Sequence, residues 1–176
     1  MTDTSAPWLT DAEADAWLDL VAVAELLPSA LDAQLARDAG LTFFDYLVLA
    51  QLAESPERSL RMTDLASQTN ATVARLSRVV GRLEAEGLVR RVRDDSDGRG
   101  RHAQLTEAGV QALTRAAPNH LRTVRRLFAD AFTEEEMQDL SRLCRRLLEA
   151  LDPGRVVPAQ TRQGRGGRAG LSSPPR

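Results

Sequence analysis

The chain has 176 residues, 43% of them hydrophobic and only 4% aromatic, which excludes wholesale disorder and leaves length for one ordinary domain with a buried core. No apolar run approaches the roughly 20 residues of a membrane span. The acidic opening MTDTSAPWLTDAE lacks the order of a signal peptide, and a lone Cys144 excludes an internal disulfide, so a cytoplasmic protein is expected. The net charge of -2 hides an uneven distribution: residues 1–60 hold 2 Arg against 11 acids, residues 61–102 hold 9 Arg against 6 acids, and residues 153–176 hold 5 Arg and no acid.

Residues 1–9 are read as a disordered start. From Thr10 to about Ala39 the spacing of Trp17, Leu20, Ala24, Leu27, Leu31 and Leu35 predicts one long helix. TDAE at its start is a capping box, with Thr10 as N-cap and Glu13 reaching back. Pro28 removes a backbone donor and predicts a kink or a split, and Gly40 ends the run. TFFDYLVLAQLAESP gives a second helix from Thr42, stopped before Pro56.

The next stretch divides into two helices. Thr63 is the expected cap of a short one ending near Gln68. Thr69 and Asn70 form the joint, and Asn70 is the expected cap of the following helix. That helix is expected to bury Val73, Leu76, Val80 and Leu83 and to end at Gly87. Residues 88–93 and 101–105 are too short for helices and read as strands around the turn-forming cluster DDSDGRG. Helix restarts at Thr106 and runs to about Asp130, with Pro118 inside it. TEEE at Thr133 is a further capping box. After it Met137, Leu140, Cys144, Leu147 and Leu151 alternate in steps of 3 and 4, the narrow seam of one helix packing on another, as across a dimer. The basic tail, residues 153–176, lacks the apolar side chains to offset its chain entropy and is expected to be disordered. Such a tail can add weak nucleic-acid affinity or serve as a solvated end with no role.

Two helices joined by a short turn, the second amphipathic, describe a helix-turn-helix whose second helix can lie in a DNA major groove. Opposite its apolar stripe that helix carries Thr72, Arg75, Ser77, Arg78 and Arg82, with no acid between Ala71 and Gly81. Arginine can bridge guanine O6 and N7, while Ser and Thr suit bases or phosphates. The strand–turn–strand that follows makes a wing, flanked by Arg90, Arg91, Arg93 and Arg101. Arg99 at its tip can reach a minor groove, and Asp97 can hold that guanidinium in one pose.

GLTFFDYLVLAQL, LRMTDLASQTNATVARLSRVVGRLEAEGLVRR, the Asp-x-Arg at DGR and LTEAG, in that order, make the chain from about Trp17 to Leu151 resemble the MarR family of winged-helix transcriptional regulators. The resemblance implies a mainly α (α+β) fold: a winged helix-turn-helix with N- and C-terminal dimerisation helices. Residues 10–152 would form this domain, with 10–40 and 106–152 dimerising and 42–105 as the DNA-binding lobe. It implies a homodimer on a pseudo-palindromic operator in double-stranded DNA, acting as a repressor under a small aromatic or phenolic effector. It carries Arg99 over as the minor-groove residue with Asp97 as its partner, and matches Thr72, Arg75, Ser77 and Arg78 to base-facing positions. The Gly on each side of Arg99 departs from the family pattern.

The resemblance implies an effector bound where the dimer helices meet the lobe, and Trp17, Phe43, Phe44, Tyr46 and His120 are candidate lining residues, each also readable as plain core. Cys144 on the apolar seam reads as a small inert hydrophobe. His102, His120 and Cys144 show no metal-ligand spacing, no phosphate-cradling glycine loop or nucleophile triad is visible, and no cofactor or catalysis is expected. The alternative function is a helical protein-interaction module that kept the winged shape and lost sequence-specific DNA binding.

Overall fold

A computed structural model describes residues 8–93 and 101–152. The expectations for residues 1–7, for the wing tip at 94–100 with Asp97 and Arg99, and for the tail at 153–176 lie outside the described residues. Two units are distinguished, one up to Ala131 and one from Phe132 onward.

Helix α1, Asp11–Ala39, is capped by Thr10 as expected, with the Thr10 side chain accepting from the Glu13 N–H and Glu13 accepting from the Thr10 N–H. It continues unbroken through Pro28, and Gly40 closes it in the left-handed region at φ 67°. Helix α2, Phe43–Glu54, starts from a second such box in which Thr42 and Asp45 exchange bonds. The Phe43 N–H also donates to Asp32 of α1 at 2.8 Å, which pins the start of α2 to the last turns of α1.

A 3-10 turn at Pro56–Arg58 leads into strand β1, Ser59–Arg61. Helices α3, Met62–Gln68, and α4, Val73–Ala85, follow, then strands β2, Val89–Arg93, and β3, Arg101–Leu105. The sheet is antiparallel in the order β1-β3-β2. Strand β1 is absent from the sequence reading: three residues are too few to show alternation, and pairing with β3 makes the strand, with Leu60 opposite Ala103.

Two caps differ from expectation. Helix α3 begins at Met62 after Arg61, so Thr63 lies inside its first turn. The cap of α4 is Thr72 and not Asn70, which instead makes the turn at φ 53°. Asparagine tolerates this left-handed geometry better than most residues.

Helix α5, Glu107–Leu127, is capped by Thr106 and runs through Pro118. The core of this unit is Leu35 and Leu41, Val48, Leu49 and Leu52 of α2, Leu65 and Ala66 of α3, Leu76, Val80 and Leu83 of α4, Val89, Ala103 and Leu105 of the sheet, and Ala116 of α5. Each fully buried Leu or Val contributes about 1.5–3 kcal/mol relative to exposure. In the second unit, helix α6, Glu134–Leu151, is capped by Thr133 with Glu136 reaching back. Its Leu143, Leu147 and Leu151 are exposed, as is Cys144.

Candidate nucleic-acid interface

The turn between α3 and α4 is held by its own polar groups. The buried Thr69 hydroxyl donates to the Leu65 carbonyl at 2.7 Å, and the Ala71 N–H donates to the Ala66 carbonyl at 2.9 Å. The Thr72 hydroxyl then accepts from the Arg75 N–H at 3.2 Å and opens α4. With Leu76, Val80 and Leu83 buried at 0% exposure, α4 turns Thr72, Arg75, Ser77 and Arg78 outward.

Val73 was expected in the core and is 49% exposed. It stands three residues before Leu76, so helical period assigns it to the apolar stripe. As the first residue of α4 it lies beyond the edge of the core. The outcome is an outward valine beside outward arginines, which period alone hides.

The arginines of α4 have different surroundings. The Arg75 guanidinium stacks over the Phe44 ring of α2, 4.2 Å from its centroid, which restricts where the charge can swing. Arg78 makes no hydrogen bond or ion pair with a described residue. Arg82, grouped with the groove contacts from sequence, has its guanidinium 2.5 Å from the fully buried Asp45 carboxylate and 3.9 Å from Glu86. Its first role is therefore packing of α4 on α2.

The wing is strapped to α4 by Arg91. Its guanidinium donates to Glu84 and to the Ser77 carbonyl, both at 2.8 Å, and its backbone N–H donates to Glu84 at 3.0 Å. The charge expected for DNA at this position is spent inside the lobe, and it sets β2 beside the Ser77 turn. Arg90 donates to Gln104 across the sheet at 2.9 Å. Arg93 and Arg101 sit directly opposite each other at the tip-proximal end of the two strands. Like charges at opposed positions destabilise a sheet pair and suit a hairpin that meets an anion.

Of the candidate effector residues, three come together. His120 is 4% exposed, and its ring centroid lies 4.1 Å from that of Tyr46 and 5.9 Å from that of Phe43. Its Nδ1 is 3.2 Å from Gln34 Oε1, while Gln34 Nε2 donates to Asp38 at 2.9 Å. The amide orientation makes Nδ1–H the donor to Gln34. Burial pushes His120 below its ordinary pKa, and burial together with the Glu54 charge pushes the Tyr46 hydroxyl above its own. Trp17 stands apart on the first half of α1 and is 57% exposed. Phe44 belongs to the Arg75 contact. Among the described residues, no three His, Cys, Asp or Glu side chains gather as for a metal ion, and no helix is long and apolar enough to cross a membrane.

The comparisons agree with this geometry. Residues 39–100 match the MarR family model. The fold is similar to that of Sco3205, a MarR family transcriptional regulator from Streptomyces coelicolor solved in complex with DNA, at 42% identity and a TM-score of 0.83, over 88% of this chain and 97% of that one. The homoprotocatechuate degradative operon repressor of Escherichia coli is 31% identical over 120 residues, 61% of this chain and 79% of the repressor. The transcriptional repressor MprA of Escherichia coli is 28% identical over 107 residues, where the match spans 61% of this chain and 60% of MprA. A winged helix-turn-helix with an arginine-bearing second helix, matched in fold and sequence along most of its length, identifies the chain as a member of the MarR family.

Proposed function

We propose that the protein is a homodimeric, sequence-specific DNA-binding transcriptional regulator, and in its ordinary action a repressor. The observation that carries this reading is the one-signed outward face of α4, Thr72, Arg75, Ser77 and Arg78, with β2 strapped beside its middle turn by Arg91. Arg75 and Arg78 reach base edges or phosphates in the major groove, and Val73 meets thymine methyls. Arg93 and Arg101 approach the flanking backbone, and Arg99 reads the adjacent minor groove with Asp97 as its partner.

What the single chain leaves uncovered supports dimerisation. Trp17, Leu18, Leu20, Val21, Val23 and Leu26 of α1 are all exposed, as are Leu143, Leu147 and Leu151 of α6. Apolar faces such as these suit burial against a second copy. Two lobes then combine half-sites about one helical turn apart. A small aromatic effector would fit the Phe43, Tyr46 and His120 cluster, acting only if it binds the two lobe spacings unequally.

Fluorescence anisotropy with the duplex beside the protein's own gene and a scrambled duplex, at two salt concentrations, tests the reading. Tight binding to the first, falling steeply with salt as counterions are released, is expected. Weak, salt-insensitive binding to both duplexes would overturn it.

A further inference from the structure

The three-stranded sheet turns two different faces to its surroundings. In an antiparallel sheet, directly opposed residues share a face and successive residues along a strand alternate. Val89, Ala103 and Leu105 are buried, and Leu60, opposite Ala103, packs against the same core. Register then assigns Ser59, Gln104 and Arg90 to one row of the outward face, and Arg61, His102 and Val92 to the next. Arg61, Arg90 and Val92 are exposed, so no helix among the described residues covers this side. The six residues include two arginines and a histidine, and no carboxylate.

Arg90 is held from behind. Its Nε donates to Gln104 Oε1 at 2.9 Å, and Gln104 Nε2 donates to the Glu57 carbonyl at 3.2 Å. Among the described residues, the terminal guanidinium nitrogens of Arg90 have no partner. The carbonyl that anchors this relay belongs to a strained turn. Glu57 and Arg58 both stand at φ 54°, in a region that such side chains disfavour. The Arg58 guanidinium ties the turn to Glu107 of α5 at 3.2 Å. Strain retained under outside restraint points to a position that the backbone is made to keep. Here that position is the carbonyl that orients Gln104 and, through it, Arg90.

The same two strands carry the opposed Arg93 and Arg101 at their tip-proximal end, on the lobe-facing side. Positive charge therefore stands on both faces of the wing. A minor groove is about 7.5 Å deep and is walled by a phosphate strand on each side. At about 3.4 Å per residue, the Arg61 row lies one step behind the Arg93–Arg101 pair and the Arg90 row about 10 Å behind it. A tip seated in the groove brings these rows to the level of its lip, with the outward face towards the strand farther from α4.

We propose that this outward face is a second phosphate-binding surface, on which Arg90, aimed by Gln104, and Arg61 engage the duplex backbone just beyond the wing. The operator contacted is then longer on each side than the recognition helices and wing tips alone require. The proposal deepens the regulator reading and rests on it. An acidic protein segment is disfavoured as occupant. The face is continuous with the Arg93–Arg101 end of the wing, and it offers a partner chain little apolar area beyond Val92.

Anisotropy with the full chain tests this, using the duplex beside the protein's own gene and a series shortened from both ends. Hydroxyl-radical footprinting locates the wing on that duplex. Wild-type affinity should fall about tenfold at the step that removes the base pairs outside the wing. Arg90→Gln should bind the longest duplex about fivefold more weakly, with a salt slope lower by about 2, because a dimer loses two phosphate contacts. Arg61→Gln/Arg90→Gln should lose the step altogether. Base preference in both variants, read by selection from random duplexes, should match the wild type, since phosphate contacts carry no sequence information. Gln104→Met keeps both charges and should shrink the step about two- to threefold while leaving affinity for the shortest duplex unchanged. A merely structural role would lower both affinities together. Arg61 and Arg90 are exposed, and melting by circular dichroism should place the variants with the wild type. Equal wild-type affinity across the step, or an Arg90→Gln variant with unchanged affinity and salt slope, would overturn the surface. Duplex binding unchanged in the double variant, with a polyglutamate peptide held by the wild type alone, would assign the face to an acidic protein and also overturn it. A wild type that binds no duplex of the series would bring down the regulator reading and this surface with it, whereas tight binding that ignores length removes the surface alone.

Discussion

The guanidinium of Arg82 and the carboxylate of Asp45 lie 2.5 Å apart, with Asp45 fully buried and Arg82 43% exposed. The pair joins the recognition helix to α2, and Asp45 also accepts from the Thr42 N–H at the start of α2. Removing the arginine leaves a buried carboxylate without its counter-charge. A fully buried pair broken this way costs 3–5 kcal/mol, and the exposed half of this one lowers the figure to about 2 kcal/mol. Arg82→Ala should therefore lower Tm by about 4–8 °C, read by circular dichroism. At a temperature where the variant is folded, its operator preference should match the wild type. Unchanged Tm with altered base preference would return Arg82 to the groove.

Arg75 is the converse case. Its charge lies over Phe44 and its backbone N–H is used by Thr72, so the side chain starts from a restricted position on an exposed turn. Arg75→Ala should relax preference at one position per half-site and cost about 1–3 kcal/mol there. Phe44→Leu should reduce the same preference by a smaller amount while keeping the charge. Selection from random duplexes reads both. Preference unchanged in Arg75→Ala would remove the residue from base readout.

These two arginines also show where a sequence stops being readable. The helices, the capping boxes at Thr10 and Thr133, and the Gly40 stop follow from local hydrogen-bonding rules and are legible. Arg75, Arg82 and Arg91 are alike in sequence, each on a polar position of an amphipathic element. What separates them is a partner far along the chain or across a turn: Phe44, Asp45, and the Ser77 carbonyl with Glu84. Val73 and Leu76 share a helical face, and only the extent of the core distinguishes them. Of the five residues that the sequence offers for an effector site, only His120, Tyr46 and Phe43 come together, and the Gln34 link that ties them to α1 is not among its signals. A glutamine set between Leu31 and Leu35 on the apolar stripe of α1 is the available signal.

His120 makes stability depend on pH in a defined direction. Burial lowers its pKa from the ordinary 6.5, so the folded state holds it neutral where the unfolded chain binds a proton. The unfolded state then carries more protons, and stability falls as pH drops from 6.5 towards the lowered value. The slope cannot exceed about 1.4 kcal/mol per pH unit for one proton. Urea unfolding between pH 7.5 and about 5 should show this loss, above the range in which carboxylates such as Asp38 contribute. His120→Gln, which retains a donor for Gln34, should flatten it. An equal slope in that variant would assign the effect elsewhere.

The last turn between wing and helix depends on Gly109. A Cβ at this position would stand 2.2 Å from the Leu88 carbonyl oxygen and 2.6 Å from Leu105 Cδ1. The backbone around it cannot yield freely. The Thr106 hydroxyl accepts from the Gly109 N–H at 3.0 Å and reaches the Gly87 and Leu88 carbonyls at 2.7 and 3.0 Å, while the Thr106 N–H also donates to Leu88. Gly109→Ala gains helix propensity of about 1 kcal/mol and loses more to the clash, since overpacking costs about 1–3 kcal/mol and here the obstacle is backbone. The expected net is destabilisation of about 1–2 kcal/mol in urea, with the wing displaced from α4. Because Arg91 sets β2 against Ser77, that displacement should weaken operator binding more than the stability loss alone explains. A variant as stable as the wild type, with unchanged operator affinity, would show that α5 can shift away from Leu88 without cost.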